Sequence, residues 1–134
     1  MNKTLINYPA VPPSAKPFGP APLSPALSAG PFVFVSGQVG IDPITGKVVG
    51  TDVQSQTRQA LKNMQALLGA AGLTMADVVK TTVFLTRISD FSGMNAVYRE
   101  FFPEPFPTRS TVGIALNHPE LLVEIEGIAL RSCG

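Results

Sequence analysis

The segment TDVQSQTRQALKNMQALLGAAG, residues 51–72, limits the possible folds most, because its apolar residues recur at intervals of three and four. This spacing predicts a long helix with one apolar face. Asp52 can cap the start of the helix and Gly72 its end. An apolar face of this length must pack against another layer of structure. Its members are Val53, Thr57, Ala60, Leu61, Met64, Leu67, Leu68 and Ala71.

The residues before this helix predict a strand and a turn. PFVFVSGQVG, residues 31–40, is apolar on both faces of the pleat, which indicates a strand buried on two sides. DPITGK then predicts a turn, from which residues 47–49 lead back as the second strand of a hairpin.

The second half of the chain predicts three strands and one helix. Between residues 78–86 and 109–115, which have strand patterns, SDFSGMNAVYREFF has an apolar helical stripe and can be capped by Ser89 or Asp90. The last strand is LLVEIEGIAL, residues 121–130. The order β-β-α-β-α-β-β predicts an α+β domain in which two helices cover one face of a mixed sheet.

Proline dominates the start of the chain, where eight of the 13 prolines lie within residues 1–31. Because proline fixes φ and lacks a backbone donor, we expect residues 1–23 to form an extended, mostly irregular arm. Residues 24–134 then form a single domain. With 45% hydrophobic and 14% charged residues, the chain is apolar enough for part of its surface to meet a partner.

Charge and composition argue against several functions. The net charge is +1 and no run of Lys or Arg occurs, so nucleic-acid binding gains no electrostatic support. His118, in the loop LNHPE, is predicted to be a surface turn residue, and one histidine cannot supply a multi-histidine metal site. Cys133 has no partner for an internal disulfide, and no signal peptide or membrane helix is evident, so we expect a cytoplasmic protein.

Strand alternation predicts where the charges of the last two strands point. Arg109 shares one face of its strand with small residues, and Glu124 and Glu126 share a face with apolar neighbours. We expect Arg109 and Glu124 to project together from the sheet face opposite the helices, where another subunit covers them. The residues expected beneath the helices are Val112, Ile114, Val123 and Ile125.

Arg109 and Glu124 together suggest a catalytic site for a small carboxylic acid. A guanidinium fork suits a carboxylate, and a partly desolvated glutamate has a raised pKa that is useful for proton transfer to and from water. A structural ion pair of Arg109 with Glu124 or Glu126 fits the same spacing equally well.

Several segments together resemble one known family. They are VFVSGQVGIDPITGKVV, QTRQALKNMQALLGAAGL, VVKTTVFLTRISDFSGMNAVYREFF, PFPTRSTV and VEIEGIA. The resemblance is to the reactive intermediate/imine deaminases, also called RidA-like, YjgF-like or endoribonuclease L-PSP proteins, and it spans residues 24–131. It implies a chorismate-mutase-like fold that assembles as a homotrimer around a central β-barrel, with sites between subunits. It also implies hydrolysis of 2-imino acids or their 2-enamine tautomers to 2-keto acids and ammonia, without metal or cofactor.

The resemblance also implies roles for individual residues. Arg109 matches the arginine that holds the substrate carboxylate, and Glu124 matches the glutamate that orients the attacking water. Ser36 and Gly37 match positions that line the pocket through hydroxyl and backbone groups. Asn95 matches another pocket position, although packing on the helix face explains it equally well.

Two positions differ from many family members. Thr111 stands where many carry cysteine, and we expect a modest effect because that position acts largely through its backbone. Leu23, in APLSPAL, stands where many have the tyrosine of G-P-Y-S. A polar contact is thereby lost and apolar volume gained, so we hypothesise a pocket that favours longer or more apolar imino acids.

Other functions stay open at this point. A ligand-binding or regulatory trimer of the same fold is compatible with Leu23, and so is an enamine deaminase dedicated to one catabolic pathway, such as an aminomuconate-type enzyme. The near-neutral charge and single histidine argue against an RNA-cleaving translation inhibitor.

Overall fold

The computed structural model describes residues 2–9, 11 and 21–132, so Cys133 and residues 1, 10 and 12–20 of the proline-rich arm lie outside the described residues. Short 3₁₀ turns, Met75–Asp77 and Ile88–Asp90, precede the fourth strand and the second helix. The strands are β1 (Lys3–Ile6), β2 (Ala26–Ala29), β3 (Phe32–Val39), β4 (Val78–Leu85), β5 (Thr108–Gly113) and β6 (Val123–Leu130), and the helices are α1 (Val53–Ala70) and α2 (Phe91–Phe101).

The strands form one mixed sheet in the order β1-β2-β3-β6-β4-β5. Neighbouring strands are antiparallel except β4 and β5, which are parallel. The predicted α+β class, with a mixed sheet and two helices, is confirmed. The sequence did not predict two of the strands, β1 in the arm and β2. The predicted hairpin after β3 is reduced to an isolated antiparallel β-bridge between Ile41 and Val48.

Helix α1 has the ends that the sequence predicts. The Asp52 carboxylate accepts a hydrogen bond of 2.9 Å from the Ser55 backbone N–H, and Gly72 has a φ of +78° just beyond the last turn. Its apolar face forms the centre of the core, with Leu61, Met64 and Leu67 fully buried. Neither helix of the described residues is long and apolar enough to cross a membrane.

Helix α2 differs from the prediction at its start. Asp90 occupies the N-cap position but makes no capping bond, because its carboxylate accepts instead from Arg87 Nε at 3.0 Å. The apolar stripe of α2 places Met94 and Tyr98 in the core and leaves Phe91 43% exposed.

The sheet is buried on its helix side only. Val33 and Val35 lie in the core, whereas Phe32 and Phe34 are exposed on the opposite side, so the prediction that β3 is buried on both sides is wrong for the single chain. We call this helix-free side the open face. The exposed apolar side chains that share it are Leu5, Phe32, Phe34, Val112 and Leu130.

The predicted facing of β5 is also wrong. Arg109 pairs with Thr81 in the register between β5 and β4, and Thr81 is buried beneath the helices, so Arg109 lies on the helix side. Val112 and Ile114, expected in the core, are 43% and 51% exposed. Alternation divides a strand into two sets, but the register with its neighbour decides which set faces the helices. The neighbour of β5 is β4, not β6.

Shortening a core side chain of α1 tests this packing. Leu61 is completely buried, so Leu61→Ala should lower the free energy of unfolding by about 2–5 kcal/mol. Ile44 is 69% exposed in a turn, and Ile44→Ala should change it by less than about 0.5 kcal/mol. Urea unfolding at one fixed chain concentration measures both, and equal effects of the two substitutions would contradict the core described here.

Candidate active site

Arg109 lies between β5 and the aromatic residues of α2. Its guanidinium carbon is 4.8 Å from the centre of the Tyr98 ring and 5.6 Å from that of Phe91, which is cation–π geometry. The ion pairs among the described residues join Arg58 to Glu100 and Arg87 to Asp90. Within one chain, Arg109 therefore does not form the structural ion pair that its spacing allowed.

A cavity of about 380 Å³ opens beside this arginine. Its walls bring Arg109 together with Asn95, another residue predicted for the site. The side-chain oxygen of Asn95 is buried and has no hydrogen-bond partner among the described residues. Thr111 follows two positions after Arg109 on the same side of β5 and is partly buried. The lining residues are Asn95, Tyr98, Arg99, Phe106, Pro107 and Arg109.

The aromatic residues around Arg109 belong to the apolar stripe that the sequence predicts for α2, and sequence reasoning did not connect them with Arg109. Phe91, Asn95 and Tyr98 stand at i, i+4 and i+7, so they share one face of α2, and this spacing could have revealed the group. The Tyr98 hydroxyl is 2.7 Å from Thr81 Oγ1. Burial raises the pKa of Tyr98, although the Thr81 bond and the Arg109 charge oppose the rise, so the phenol stays neutral near pH 7.

Glu124 occupies the open face. It pairs with Phe84 in the register between β6 and β4, and its side chain is partly buried. Burial raises the pKa of the Glu124 carboxyl, and the negative charge of Glu126 raises it further. This is the direction expected from the sequence. Because the folded chain holds this proton more tightly than the unfolded chain, the contribution of Glu124 to stability is lost as pH rises through the folded pKa.

Gly37 makes room for the Glu124 carboxylate. A Cβ atom at position 37 would lie 2.5 Å from Glu124 Oε2 and 2.6 Å from its Cδ, closer than any side chain allows. Ser36 and Gly37 form a β-bulge, since the register of β3 with β6 shifts between Val35 and Gln38. The bulge therefore brings the backbone of β3 directly against the carboxylate.

Ser36 binds the backbone that directly follows the arm, beside this bulge. Its hydroxyl donates to the Ser24 carbonyl at 2.5 Å, and its backbone N–H donates to the Pro25 carbonyl at 3.0 Å. Ser24 and Ser36 line a second cavity of about 300 Å³ together with Glu126. Leu23 directly precedes this junction, and its side chain is 48% exposed.

The seven predicted site residues thus form two groups within one chain. Arg109, Asn95 and Thr111 belong to the helix side of the sheet edge, whereas Ser36, Gly37 and Glu124 meet near the end of the arm that carries Leu23. The expectation that Arg109 and Glu124 share one face is wrong. In the described part of the chain, the first group contains a cation without an acidic partner, and the second contains a carboxylate with a raised pKa.

His118 lies in an exposed turn, as the sequence predicts. Its Nδ1 accepts a hydrogen bond of 3.1 Å from the Glu120 backbone N–H. This bond organises the loop before β6.

Comparison with known proteins gives one consistent family. The family model described as endoribonuclease L-PSP matches residues 14–131. A RutC family protein of Pyrococcus horikoshii is 47% identical over 116 residues, which cover 87% of this chain and 90% of that protein. A 2-iminobutanoate/2-iminopropanoate deaminase of Salmonella typhimurium is 44% identical over 118 residues, with 84% and 91% covered. The crystal structure of Escherichia coli TdcF with bound serine matches with a TM-score of 0.82 at 36% identity, covering 96% and 99% of the two chains.

Removing the neighbouring charge should lower the pKa of Glu124. In Glu126→Gln the repulsion between the two carboxylates is gone, yet the Glu124 pKa should stay above its ordinary value because burial is the larger cause. Carboxyl ¹³C NMR titration measures the shift. Glu100→Gln is the matched control, since Glu100 bonds Arg58 on the helix surface. An unchanged Glu124 pKa in Glu126→Gln would contradict the electrostatics described.

Proposed function

Because the chain belongs to the endoribonuclease L-PSP family, we propose that it hydrolyses 2-imino acids and their 2-enamine tautomers to 2-keto acids and ammonia, without a metal or cofactor. The observation that carries the proposal is the presence of an accessible guanidinium, which has no acidic partner among the described residues, and of a half-buried carboxylate with a raised pKa. The relative in Salmonella typhimurium is a 2-iminobutanoate/2-iminopropanoate deaminase.

Arg109 binds the substrate in this proposal. Its fork donates two hydrogen bonds to the substrate carboxylate. The Tyr98 and Phe91 rings stabilise the guanidinium by cation–π contacts that do not neutralise its charge, so the charge is available to an anionic ligand. Asn95 lines the same cavity, and its side-chain amide can form a hydrogen bond with the substrate nitrogen.

Glu124 moves the proton. The imine carbon is already electrophilic, so the site mainly has to orient water and shuttle protons. Glu124 accepts a proton as water adds to the protonated imine, which gives a neutral tetrahedral amino alcohol. It then gives this proton to nitrogen. As the C–N bond breaks and ammonia leaves, Glu124 takes up the hydroxyl proton and the carbonyl forms. A carboxyl with a raised pKa suits these transfers.

A complete site needs a second copy of the chain in this proposal. Arg109 and Glu124 lie on opposite faces of the sheet within one chain, so a neighbouring subunit must bring the two groups together. The exposed apolar side chains of the open face support such an assembly, since a surface of this kind favours association. We propose a homotrimer with three sites between subunits.

Turnover of imino acids tests the activity directly. An amino-acid oxidase generates the imine, and semicarbazide traps what has not been hydrolysed. We expect the wild type to reduce the trapped product. Arg109→Ala should lower kcat/KM by about 10²-fold or more through loss of the carboxylate contact, and Glu124→Gln should lower kcat by about 10²–10⁴-fold. A folded wild type without turnover of any imino acid would overturn the proposal in favour of a ligand-binding protein.

Mixing the two inactive variants tests the shared site. In mixed trimers of Arg109→Ala and Glu124→Gln chains, about one quarter of the sites should combine an intact Arg109 with an intact Glu124 from the next subunit. Activity should return to about that fraction after joint refolding. No recovery from properly assembled mixtures would mean that each site uses a single chain.

The exposed Leu23 should favour apolar substrates. We expect kcat/KM for the imine of leucine to exceed that for iminopropanoate by at least about tenfold, because several methylene groups enter an apolar pocket. Leu23→Tyr should reduce this ratio, whereas the turn substitution Ile44→Ala should leave it unchanged. Equal or better turnover of iminopropanoate by the wild type would refute the hypothesis.

A further inference from the structure

A buried chain of hydrogen bonds connects the arm to the bulge at Ser36–Gly37. The Tyr8 hydroxyl is 2.6 Å from Gln38 Oε1, and Gln38 Nε2 is 3.0 Å from the Ser36 carbonyl oxygen. Tyr8 is 4% and Gln38 is 1% exposed, so neither bond exchanges readily with water. Buried polar groups of this kind are costly unless they are paired, and here they are paired with each other and with the backbone.

The direction of the chain follows from its acceptor end. A backbone carbonyl can only accept, so the Gln38 side chain must turn its NH₂ group toward Ser36 and its oxygen toward Tyr8. Tyr8 must then donate. Burial raises the pKa of Tyr8 to about 12, although the bond to Gln38 opposes the rise, so the phenol keeps its proton at physiological pH.

This chain fixes the peptide between Ser36 and Gly37. A bulge leaves its extra residue unpaired in the ladder, so other hydrogen bonds have to set the orientation of its peptide. With the Ser36 carbonyl held toward the buried Gln38 amide, the Gly37 N–H points away from the core, because the two groups of a trans peptide point in opposite directions. The same peptide leads into Gly37, which contacts the Glu124 carboxylate.

We propose that Tyr8 and Gln38 are positioning residues of the active site, which act through the Ser36–Gly37 peptide on the placement of the Glu124 carboxylate. The inference rests on the proposed deaminase function for its catalytic meaning. In this proposal neither Tyr8 nor Gln38 touches the substrate. The arm, which carries Tyr8, contributes to catalysis indirectly.

Tyr8→Phe removes only the hydroxyl and keeps the ring in the core. We expect kcat to fall about tenfold while KM changes less than twofold, because a displaced carboxylate slows the proton transfer but leaves the carboxylate contact at Arg109 in place. Arg109→Lys should show the reverse pattern, with the larger change in KM.

Gln38→Glu and Gln38→Met separate hydrogen bonding from packing. A protonated glutamic acid can accept from Tyr8 with one oxygen and donate to Ser36 with the other, whereas its carboxylate repels the Ser36 carbonyl. The activity of Gln38→Glu relative to wild type should therefore rise as pH falls. Gln38→Met cannot donate at any pH, so its ratio to wild type should stay low and constant. Asp42 lines a small cavity together with Tyr8 and Gln38, and it is present in every variant.

Asn63→Leu is the matched control. Asn63 is 5% exposed, and its amide donates to the carbonyls of Val39, the last residue of the bulged strand, and of Ile41, just after it. Its loss should lower Tm at least as much as Tyr8→Phe does, yet leave kcat within about twofold of wild type. A parallel fall of kcat and Tm across all these variants would reduce Tyr8 and Gln38 to a structural role and overturn the proposal.

The amide resonance of Gly37 in ¹H–¹⁵N spectra provides a readout that needs no turnover. It should move in Tyr8→Phe and stay in place in Asn63→Leu. If wild type deaminates imino acids while Tyr8→Phe changes neither kcat nor this resonance, the positioning proposal fails and the function stands. If wild type shows no turnover, the function fails, and an unmoved resonance would then also exclude Tyr8 as the support of the bulge.

Discussion

The pairing of β4 with its two neighbours is the constraint on which the site depends. β4 runs antiparallel to β6 and parallel to β5, and its register places Thr81 beside Arg109 and Phe84 beside Glu124. A slip of one residue in either pairing would move one of the two charges to the other side of the sheet. The burial of Val83 on β4 and of Ile125 on β6 opposes a slip between these two strands, because the slip would turn one of the two side chains away from the core.

Arg109 and Glu124 are both held at some electrostatic cost. Within the described residues neither forms an ion pair, although both are partly buried. The aromatic rings of α2 offset part of the cost for Arg109, and the cost for Glu124 is visible as its raised pKa. Charges kept without partners in this way are typical of sites whose partner is a ligand or a transition state.

Backbone geometry matters as much as side-chain chemistry on the open face. Gly37 admits the Glu124 carboxylate only because it lacks a Cβ, and the bulge that contains it is held by side chains from β3 itself and from the arm. The arm is therefore part of the fold in its described residues. β1 extends the sheet, Tyr8 reaches the core, and the Ser24 carbonyl is bound by Ser36.

The sequence by itself determined the elements whose signals are local. The extent of α1, its Asp52 cap, the terminating Gly72 and the alternation of β6 follow from periodicity and capping chemistry, and the family follows from its motifs. Only the tertiary structure decided which side of the sheet Arg109 faces, because the alternation of side chains along one strand does not reveal the register between strands. It also decided the surroundings of Arg109 and the link from Tyr8 to Gln38, since contacts between residues distant in the chain depend on how the elements pack.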